Sequence, residues 1–317
     1  MNKNKIILAG GSGFLGKALA QHFNALDWEV VVLTRHPVTS DPNIRQVFWD
    51  GEKIGDWTRE LEGATSVVNL AGRSVDCRYT PANRRVIMDS RVKPTLVLGE
   101  AIALCQQAPR VWLNASSATI YRHTLGPATD ESSLDFTPTP AVHDEFSLDV
   151  IRAWETAFND ASTPQTRKIA LRTTMVLGHA RNSVFPVLRR LARCGLGGRM
   201  GTGRQFVSWL HQTDFCRAVE WLIAHEEVSG PLNIAAPIPL PNAEMMRLFR
   251  ELSGVPFGLP ATEWMLEIGA FILRTETELI LKSRRVIPGK LLGGGFEFHF
   301  PIMRAALENL FNNPTKI

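Results

Sequence analysis

An α/β fold with a doubly wound parallel sheet is predicted by the pattern of the first 35 residues. Two short apolar runs, at 6–9 and 30–33, lack the alternation of a half-exposed strand, as expected for strands that helices cover on both faces. Between them, apolar residues recur at helical spacing over 15–26, so one face of a helix can pack on the sheet. This order of strand, helix and strand is typical of the Rossmann-type fold.

Three glycines lie between the first strand and the first helix. Gly10 allows a tight turn, Gly13 removes a side chain that would block a pyrophosphate, and Gly16 allows close approach of helix and strand. Phe14 and Leu15 open the helix, whose N-terminus favours an anion. The spacing also occurs in ordinary turns, but its position between strand and helix favours a dinucleotide site.

The end of the second strand indicates which dinucleotide binds. A site for NAD usually places a carboxylate there for the ribose 2′-OH, whereas this strand ends in Thr34-Arg35-His36. The guanidinium of Arg35 suits the 2′-phosphate of NADP, and Thr34 adds a hydroxyl donor. The alternative is a solvated arginine at a strand end. We therefore predict NADP rather than NAD.

Two later strand ends carry further candidate residues. The run 66–72 ends in Leu70, Ala71 and Gly72, small enough for the backbone to pass close to a cofactor. The strand that begins at Val111 is followed by the polar groups of Ser116, Ser117 and Tyr121. Because the carboxyl ends of parallel strands form the ligand crevice, these three are the candidates nearest a nicotinamide.

A helix is predicted over Thr95–Cys105, with Arg91 near its start. Arg91 points at the cofactor phosphates or is an exposed charge, and both alternatives stay open. Asp50, after a short third strand, reaches the adenine or caps the next turn.

The remaining pattern predicts the other elements and a division into two domains. We expect a Rossmann domain over 1–180, to which a segment near 206–236 returns, and a smaller α/β substrate-side domain over 181–317. Helices are predicted at 146–161, 184–192 and 215–225, with Asp214 as the N-cap of the third, and two or three more follow after 242. Strands are predicted at 169–178, 205–210, 232–236 and 296–300.

Composition narrows the function classes. The chain has 317 residues, 44% apolar, and a net charge of only +4 from scattered Lys and Arg, too weak a signal for nucleic acid. No run of about 18 apolar residues predicts a membrane span, and a strand starting at Lys5 leaves no room for a signal peptide. The four cysteines lie far apart, so neither zinc nor disulfides are indicated. We expect a cytoplasmic monomer or homodimer, with an organelle matrix as the alternative.

Several motifs together resemble the extended short-chain dehydrogenase/reductase superfamily. They are Gly10-x-x-Gly13-x-x-Gly16, Asn69-Leu-Ala-Gly72, Arg172-Thr-x-x-Val-Leu-Gly178 and Ser208-Trp-Leu-His211-x-x-Asp214. The run Arg285-Val-Ile-Pro288 and the following Gly294-Gly-Phe-Glu-Phe are similar to the atypical epimerase-like family 39U, with its C-terminal DUF1731-type segment and its bacterial members labelled cell-division inhibitors. The resemblance implies an NADP-binding fold with cofactor residues Gly10, Gly13, Gly16, Thr34, Arg35, Leu70, Ala71, Arg91 and Val176.

One departure from that superfamily bears on catalysis. Typical members use a Tyr-x-x-x-Lys pair to exchange a proton while hydride moves. Here Tyr79 is followed four places later by Asn83 and Tyr121 by Leu125, so the pair is absent. On the helix that normally carries it, the resemblance places Ser147 and Ile151 at the two positions, a loss that the atypical family shares.

Two functions from different classes remain. In the first, the protein is an oxidoreductase or a nucleotide-sugar epimerase or dehydratase, acting on a small molecule that the sequence does not identify. Its substitute acid or base is Tyr121, Ser116 or Ser117, with His123 and Asp144 as more distant candidates. In the second, it binds NADP(H) without turnover, as a redox-responsive regulatory module.

Overall fold

The computed structural model describes residues 3–38, 43–181, 183–273 and 276–313. Its strands are β1 Lys5–Ala9, β2 Glu29–Thr34, β3 Ile44–Phe48, β4 Ser66–Asn69, β5 Val111–Ser117, β6 Arg167–Thr173, β7 Met175–Leu177, β8 Phe206–Val207, β9 Trp209–His211, β10 Gly230–Ile234 and β11 Leu240–Pro241. Its helices are α1 Phe14–Ala25, α2 Pro81–Ala103, α3 Glu145–Asp160, α4 Val184–Arg193, α5 Gln212–Ala224, α6 Asn242–Ser253, α7 Glu263–Leu273, α8 Glu278–Leu281, α9 Gly289–Gly293 and α10 Met303–Asn312.

Seven strands form one parallel sheet in the order β10-β6-β5-β4-β1-β2-β3. The strand order reverses between β1 and β4, and in open α/β sheets ligands bind in the crevice outside the carboxyl ends at such a point. The doubly wound fold predicted from the sequence is therefore confirmed.

Two hydrophobic layers cover the central strand. Ile6 and Leu8 face a cluster that contains Leu19 and Phe23 of α1, while Ile7 and Ala9 face a second cluster that contains Leu98 of α2. Because both faces of β1 are buried, its apolar run shows no alternation.

The helix predicted from Thr95 begins earlier, at Pro81. The side chain of Thr80 caps this helix by accepting a hydrogen bond from the backbone N–H of Asn83 at 3.3 Å, and Pro81 occupies its first position. Pro94 lies inside the helix, where proline normally signals a boundary. The sequence prediction placed the helix start too late because Pro94 separates a polar first half of the helix from an apolar second half, and only the second half shows the helical apolar pattern.

The chain leaves the main sheet after β6 and later returns to it. β7 pairs with β9, and β8 pairs with β11, so the single strand predicted over 205–210 is two short strands with different partners. β10 then joins the edge of the main sheet beside β6, as predicted.

Asp214 is not the N-cap of α5, contrary to the sequence prediction. His211 holds that position, and its Nδ1 accepts from the backbone N–H of Thr213 at 3.1 Å. The fully buried carboxylate of Asp214 accepts from the backbone N–H groups of His299 and Phe300, both at 2.8 Å. These bonds hold 296–300, which was predicted as a strand, against α5 without a strand partner among the described residues.

The division into domains over 1–180 and 181–317 stays a prediction. In the part of the chain that the structure describes, no helix has both the length and the apolarity that a bilayer crossing requires.

Candidate active site

The turn after β1 is shaped by three glycines with different surroundings. Gly10 has φ +70°, and a Cβ added there would lie 2.7 Å from the Cα of Ala71. A Cβ on Gly16 would lie 2.3 Å from the carbonyl oxygen of Gly11, whereas one on Gly13 meets nothing within 4 Å. Gly10 and Gly16 are thus required by close packing, and Gly13 opens onto free space.

That free space lies in front of the N-terminus of α1. Gly13 is the N-cap and supplies no side-chain oxygen, and the first turn, which begins with Phe14, Leu15 and Gly16, carries no acidic residue. The N–H groups of this turn lack partners within the helix, and the positive end of the helix dipole adds to them. The turn therefore suits an anion such as a diphosphate.

A cleft of about 650 Å³ runs from this turn along the carboxyl edge of the sheet. Seven of the predicted cofactor residues line it: Gly10, Gly13, Thr34, Arg35, Leu70, Ala71 and Gly72. Sequence reasoning missed further lining residues, among them Ser12, His36, Trp49, Arg73, Asp89 and Ser90. Placing the start of α2 at Pro81 would have indicated that Asp89 and Ser90 lie on a helix beside the cleft.

The residues that follow β2 and β3 lie at one end of the cleft. Arg35 is exposed, whereas Thr34 is buried and its Oγ1 accepts from the backbone N–H of His36 at 3.4 Å. Asp50 Oδ1 accepts from the backbone N–H groups of Glu52 at 2.8 Å and Lys53 at 3.0 Å, which lowers the pKa of Asp50. Asp50 therefore caps a turn, the second of its two predicted roles, while also lining the cleft.

Two predicted cofactor residues have other contacts. The guanidinium of Arg91 donates to the carbonyl oxygens of Ile87 and Arg73, both at 3.0 Å, and lies 5.3 Å above the ring of Trp154. Burial lowers its pKa to about 10. Arg91 is thus neither free nor simply exposed. Val176 lies on β7, packed against the hydrophobic core.

The hydroxyls predicted near a nicotinamide are mostly held by neighbours. Ser116 is buried and its Oγ donates to Glu155 Oε1 at 2.6 Å, while Ser117 Oγ accepts from the backbone N–H of Thr119 at 3.2 Å. Glu155 also receives two hydrogen bonds from Arg172, at 2.9 and 2.8 Å.

Tyr121 belongs to the same buried network. Its side chain is 3% exposed, its hydroxyl donates to Asn233 Oδ1 at 2.9 Å and it accepts from Arg172 Nη1 at 3.1 Å. Burial is the main cause that raises the pKa of Tyr121 above its ordinary value. This geometry favours a packing role over the predicted acid or base role.

The two more distant acid/base candidates contact the C-terminal segment. His123 Nδ1 accepts from the backbone N–H of Ser283 at 3.0 Å, and burial lowers its pKa. Asp144 forms a fully buried ion pair with Lys282, with 2.7 Å between Oδ2 and Nζ. Both side chains therefore make structural contacts with the C-terminal segment. The described residues contain no cluster of three or more His, Cys, Asp or Glu placed to hold a metal ion.

Comparison with known proteins identifies the family. The model of the NAD dependent epimerase/dehydratase family matches residues 6–235, more than half of the chain. The chain belongs to this family. A domain of unknown function, DUF1731, matches residues 261–310, which contain Lys282 and Ser283.

Individual members agree with this assignment. The epimerase family protein ML0860 of Mycobacterium leprae is 31% identical over 99% of this chain and 98% of its own length. The human epimerase family protein SDR39U1, solved with NADPH, superposes with a TM-score of 0.84 at 27% identity, covering 98% of this chain and 99% of that one. The Bordetella bronchiseptica enzyme WbmG, solved with NAD, has a TM-score of 0.75 at 15% identity over 98% and 93% of the two chains, and shares the fold. The chain is thus an atypical extended short-chain dehydrogenase/reductase with an NAD(P)-binding fold.

Proposed function

We propose that this protein binds NADP(H) and exchanges hydride with a hydroxyl-bearing or carbonyl carbon of a small molecule, as an oxidoreductase or an epimerase or dehydratase. The observation that carries the proposal is the cleft in which Gly13 opens onto free space before an uncapped helix, with Arg35 at the end of β2. A dinucleotide diphosphate fits this turn, since an anion compensates the free N–H groups.

The cleft residues divide into three groups by the part of the cofactor that they suit. Gly10, Gly13 and the first turn of α1, which contains Gly16, suit the diphosphate. Thr34 and Arg35 suit the adenosine ribose and its 2′-phosphate, and residues 70–72, which line the same cleft, would leave room for the dinucleotide. The bound nicotinamide supplies or accepts the hydride, while the protein positions the substrate and moves the proton.

NADP is favoured over NAD by charge. Arg35 is exposed at the cleft, and the β2 end has no carboxylate to pair with a ribose 2′-OH. The human relative was solved with NADPH, which supports the same choice, although WbmG of the same fold was solved with NAD.

The test compares the affinities of NADPH and NADH by isothermal calorimetry. We expect NADPH to bind at least about tenfold more tightly, and Arg35→Asp to remove most of that difference, because a charge-assisted contact to a phosphate is lost. Arg59→Asp makes the same charge change at a residue that is 84% exposed and outside the cleft lining, and it serves as the control. Equal affinities in the wild type would reject the choice of NADP.

A non-catalytic NADP(H)-binding module is the second candidate. It is favoured by Tyr121, whose hydroxyl is fully engaged, and by the absence of the Tyr-x-x-x-Lys pair. The two functions differ in one measurement. Stopped-flow absorbance at saturating NADPH should show hydride transfer to a carbonyl probe such as phenanthrenequinone for an enzyme and none for a binding module.

A further inference from the structure

Three chain segments meet in a polar cluster at the carboxyl edge of the sheet. Tyr79 precedes α2 and follows β4, Ser147 lies in the first turn of α3 after β5, and Glu278 begins α8 in the C-terminal segment. The Oγ of Ser147 donates to Glu278 Oε2 at 2.6 Å, across 131 residues of sequence. Arg284 Nη2 lies 3.8 Å from Glu278 Oε1.

The carboxyl of Glu278 is only partly satisfied. The residue is 4% exposed, and among the residues that the structure describes its Oε1 has no hydrogen-bond donor. A buried carboxylate with an unpaired oxygen is costly, so a carboxyl in this state favours its protonated form. Ser147, in contrast, is only half-buried and follows the strand end where a ligand crevice is expected.

We propose that Ser147 and Glu278 form the proton-exchange site, in which Ser147 Oγ contacts the carbonyl or alcohol oxygen of the substrate and Glu278 acts through Ser147. This inference rests on the proposed function, because a substrate oxygen exchanges a proton here only if hydride is exchanged at its carbon. Ser147 is then a catalytic residue and Glu278 a positioning residue that supplies the proton.

The proton transfers balance in both directions. When Glu278 is protonated on Oε2, its hydrogen bond with Ser147 reverses, so that Oε2–H donates to Ser147 Oγ and the Ser147 proton is free for the substrate. When a carbonyl is reduced, its carbon gains the hydride and its oxygen takes the proton of Ser147 Oγ, while Ser147 takes the proton of Glu278 Oε2. One proton has left Glu278, and the carboxylate that forms faces the guanidinium of Arg284. When an alcohol is oxidised, its hydroxyl proton passes to Ser147 and that of Ser147 passes to Glu278.

The surroundings of Glu278 suit a proton donor. Burial raises its pKa, and Asp144 adds to the effect, whereas Arg284, the hydrogen bond from Ser147 and Lys282 oppose it. Its raised pKa means that Glu278 retains its proton to higher pH than an ordinary glutamate. The other groups near the cluster are His123, close to Lys282, Asp144 and Arg284, and Glu276, close to Tyr79.

Tyr79 is unsuited to be the base at this site. Burial first, and then the charge of Glu278, raise the pKa of Tyr79 to about 12, while a hydrogen bond with Ser147 lowers it. Tyr79 therefore stays a neutral hydroxyl at physiological pH. The exchangeable proton belongs to the Ser147 and Glu278 pair.

The first test does not depend on turnover. An infrared titration of the carboxylic acid C=O stretch, on the full-length protein with and without NADPH, should show one carboxyl that stays protonated to higher pH than the others. Glu278→Gln should remove this band, whereas Glu244→Gln, whose side chain is 50% exposed, should keep it. A titration in which Glu278→Gln removes no late-titrating carboxyl overturns the proposal.

The second test measures proton transfer during a single turnover, with NADPH and phenanthrenequinone or with NADP and UDP-glucose. Ser147→Ala should slow hydride transfer about 100-fold, and Ser147→Thr, which keeps the hydroxyl, should retain most of the rate. In Glu278→Gln the decline of the reduction rate at high pH should disappear, an effect that a purely structural role would not produce.

The outcomes separate the two proposals. A wild type that binds no dinucleotide refutes the proposed function. The proton-exchange site alone is refuted if the wild type binds the dinucleotide and transfers hydride, Ser147→Ala leaves that transfer intact, and Glu278→Gln leaves the pH profile unchanged. A wild type that binds NADPH but transfers hydride with neither probe is the non-catalytic module, and the proton-exchange site is then refuted whatever the infrared titration shows.

Discussion

Gly13 and Gly16 lie three residues apart and have opposite surroundings. A valine at Gly13 would have its Cβ in open space at φ −80°, an allowed conformation, and would fill the region before α1. We expect Gly13→Val to keep the fold and to abolish dinucleotide binding, measured by calorimetry beside a thermal melt. Unchanged NADPH affinity in this variant would place the dinucleotide elsewhere.

Gly16 provides the matched comparison. Its added Cβ would lie 2.3 Å from a backbone oxygen that no rotamer change can move, so Gly16→Ala should lower the melting temperature, in contrast to Gly13→Val. If both glycine variants lost binding and stability together, loss of binding by Gly13→Val would carry no information about the site.

Tyr121 gives a second prediction at the scale of one residue. Tyr121→Phe removes one partner each from Asn233 Oδ1 and Arg172 Nη1 in a buried network, which should cost about 1–3 kcal/mol of unfolding free energy. Urea denaturation measures this loss, and hydride transfer to a carbonyl probe should change less than about twofold. A variant of unchanged stability that loses about 100-fold in hydride transfer would restore the acid/base role predicted from the sequence.

At the scale of elements, local signals made the first third of the sheet predictable. β1, α1 and β2 follow one another directly. β1 and β2 are recognised by continuous apolar runs, α1 by its helical spacing, and the turn between β1 and α1 by its glycines. The sequence therefore predicts cofactor residues on these elements and on 70–72. Gly10, Gly13, Thr34, Arg35 and 70–72 line the cleft, and their role in cofactor binding stays a prediction.

Contacts between distant segments were not predictable. The buried Asp214 carboxylate accepts from backbone groups 85 and 86 residues away, whereas a local rule assigned it to a helix cap. The Tyr121 hydroxyl likewise meets Asn233 at a separation of 112 residues, and Ser147 meets Glu278 at 131. No periodicity encodes such pairings, because each depends on how segments far apart in the chain come together in the folded protein.

At the scale of the whole molecule, one buried ion pair fastens the C-terminal segment to the residues that precede α3. Lys282 Nζ and Asp144 Oδ2 are 2.7 Å apart, and both side chains are fully buried. Lys282 Nζ also donates to the carbonyl oxygen of Thr119 at 2.7 Å. Asp144 Oδ1 accepts from the backbone N–H of Thr139 at 2.7 Å. The pair therefore connects three segments close to the cluster of Ser147 and Glu278.

The variant Lys282→Met tests how much this ion pair contributes to stability. The substitution leaves the Asp144 charge buried without its partner, so we expect a loss of about 3–5 kcal/mol in the free energy of unfolding at neutral pH. Lys3→Met, in which the lost pair with Asp27 has side chains 49% and 93% exposed, should cost at most about 1 kcal/mol. The double variant Lys282→Met/Asp144→Asn should recover part of the loss, since the unpaired charge is gone. Urea unfolding of the four proteins measures these differences, and a Lys282→Met variant as stable as Lys3→Met would show that the pair does not hold the C-terminal segment in place.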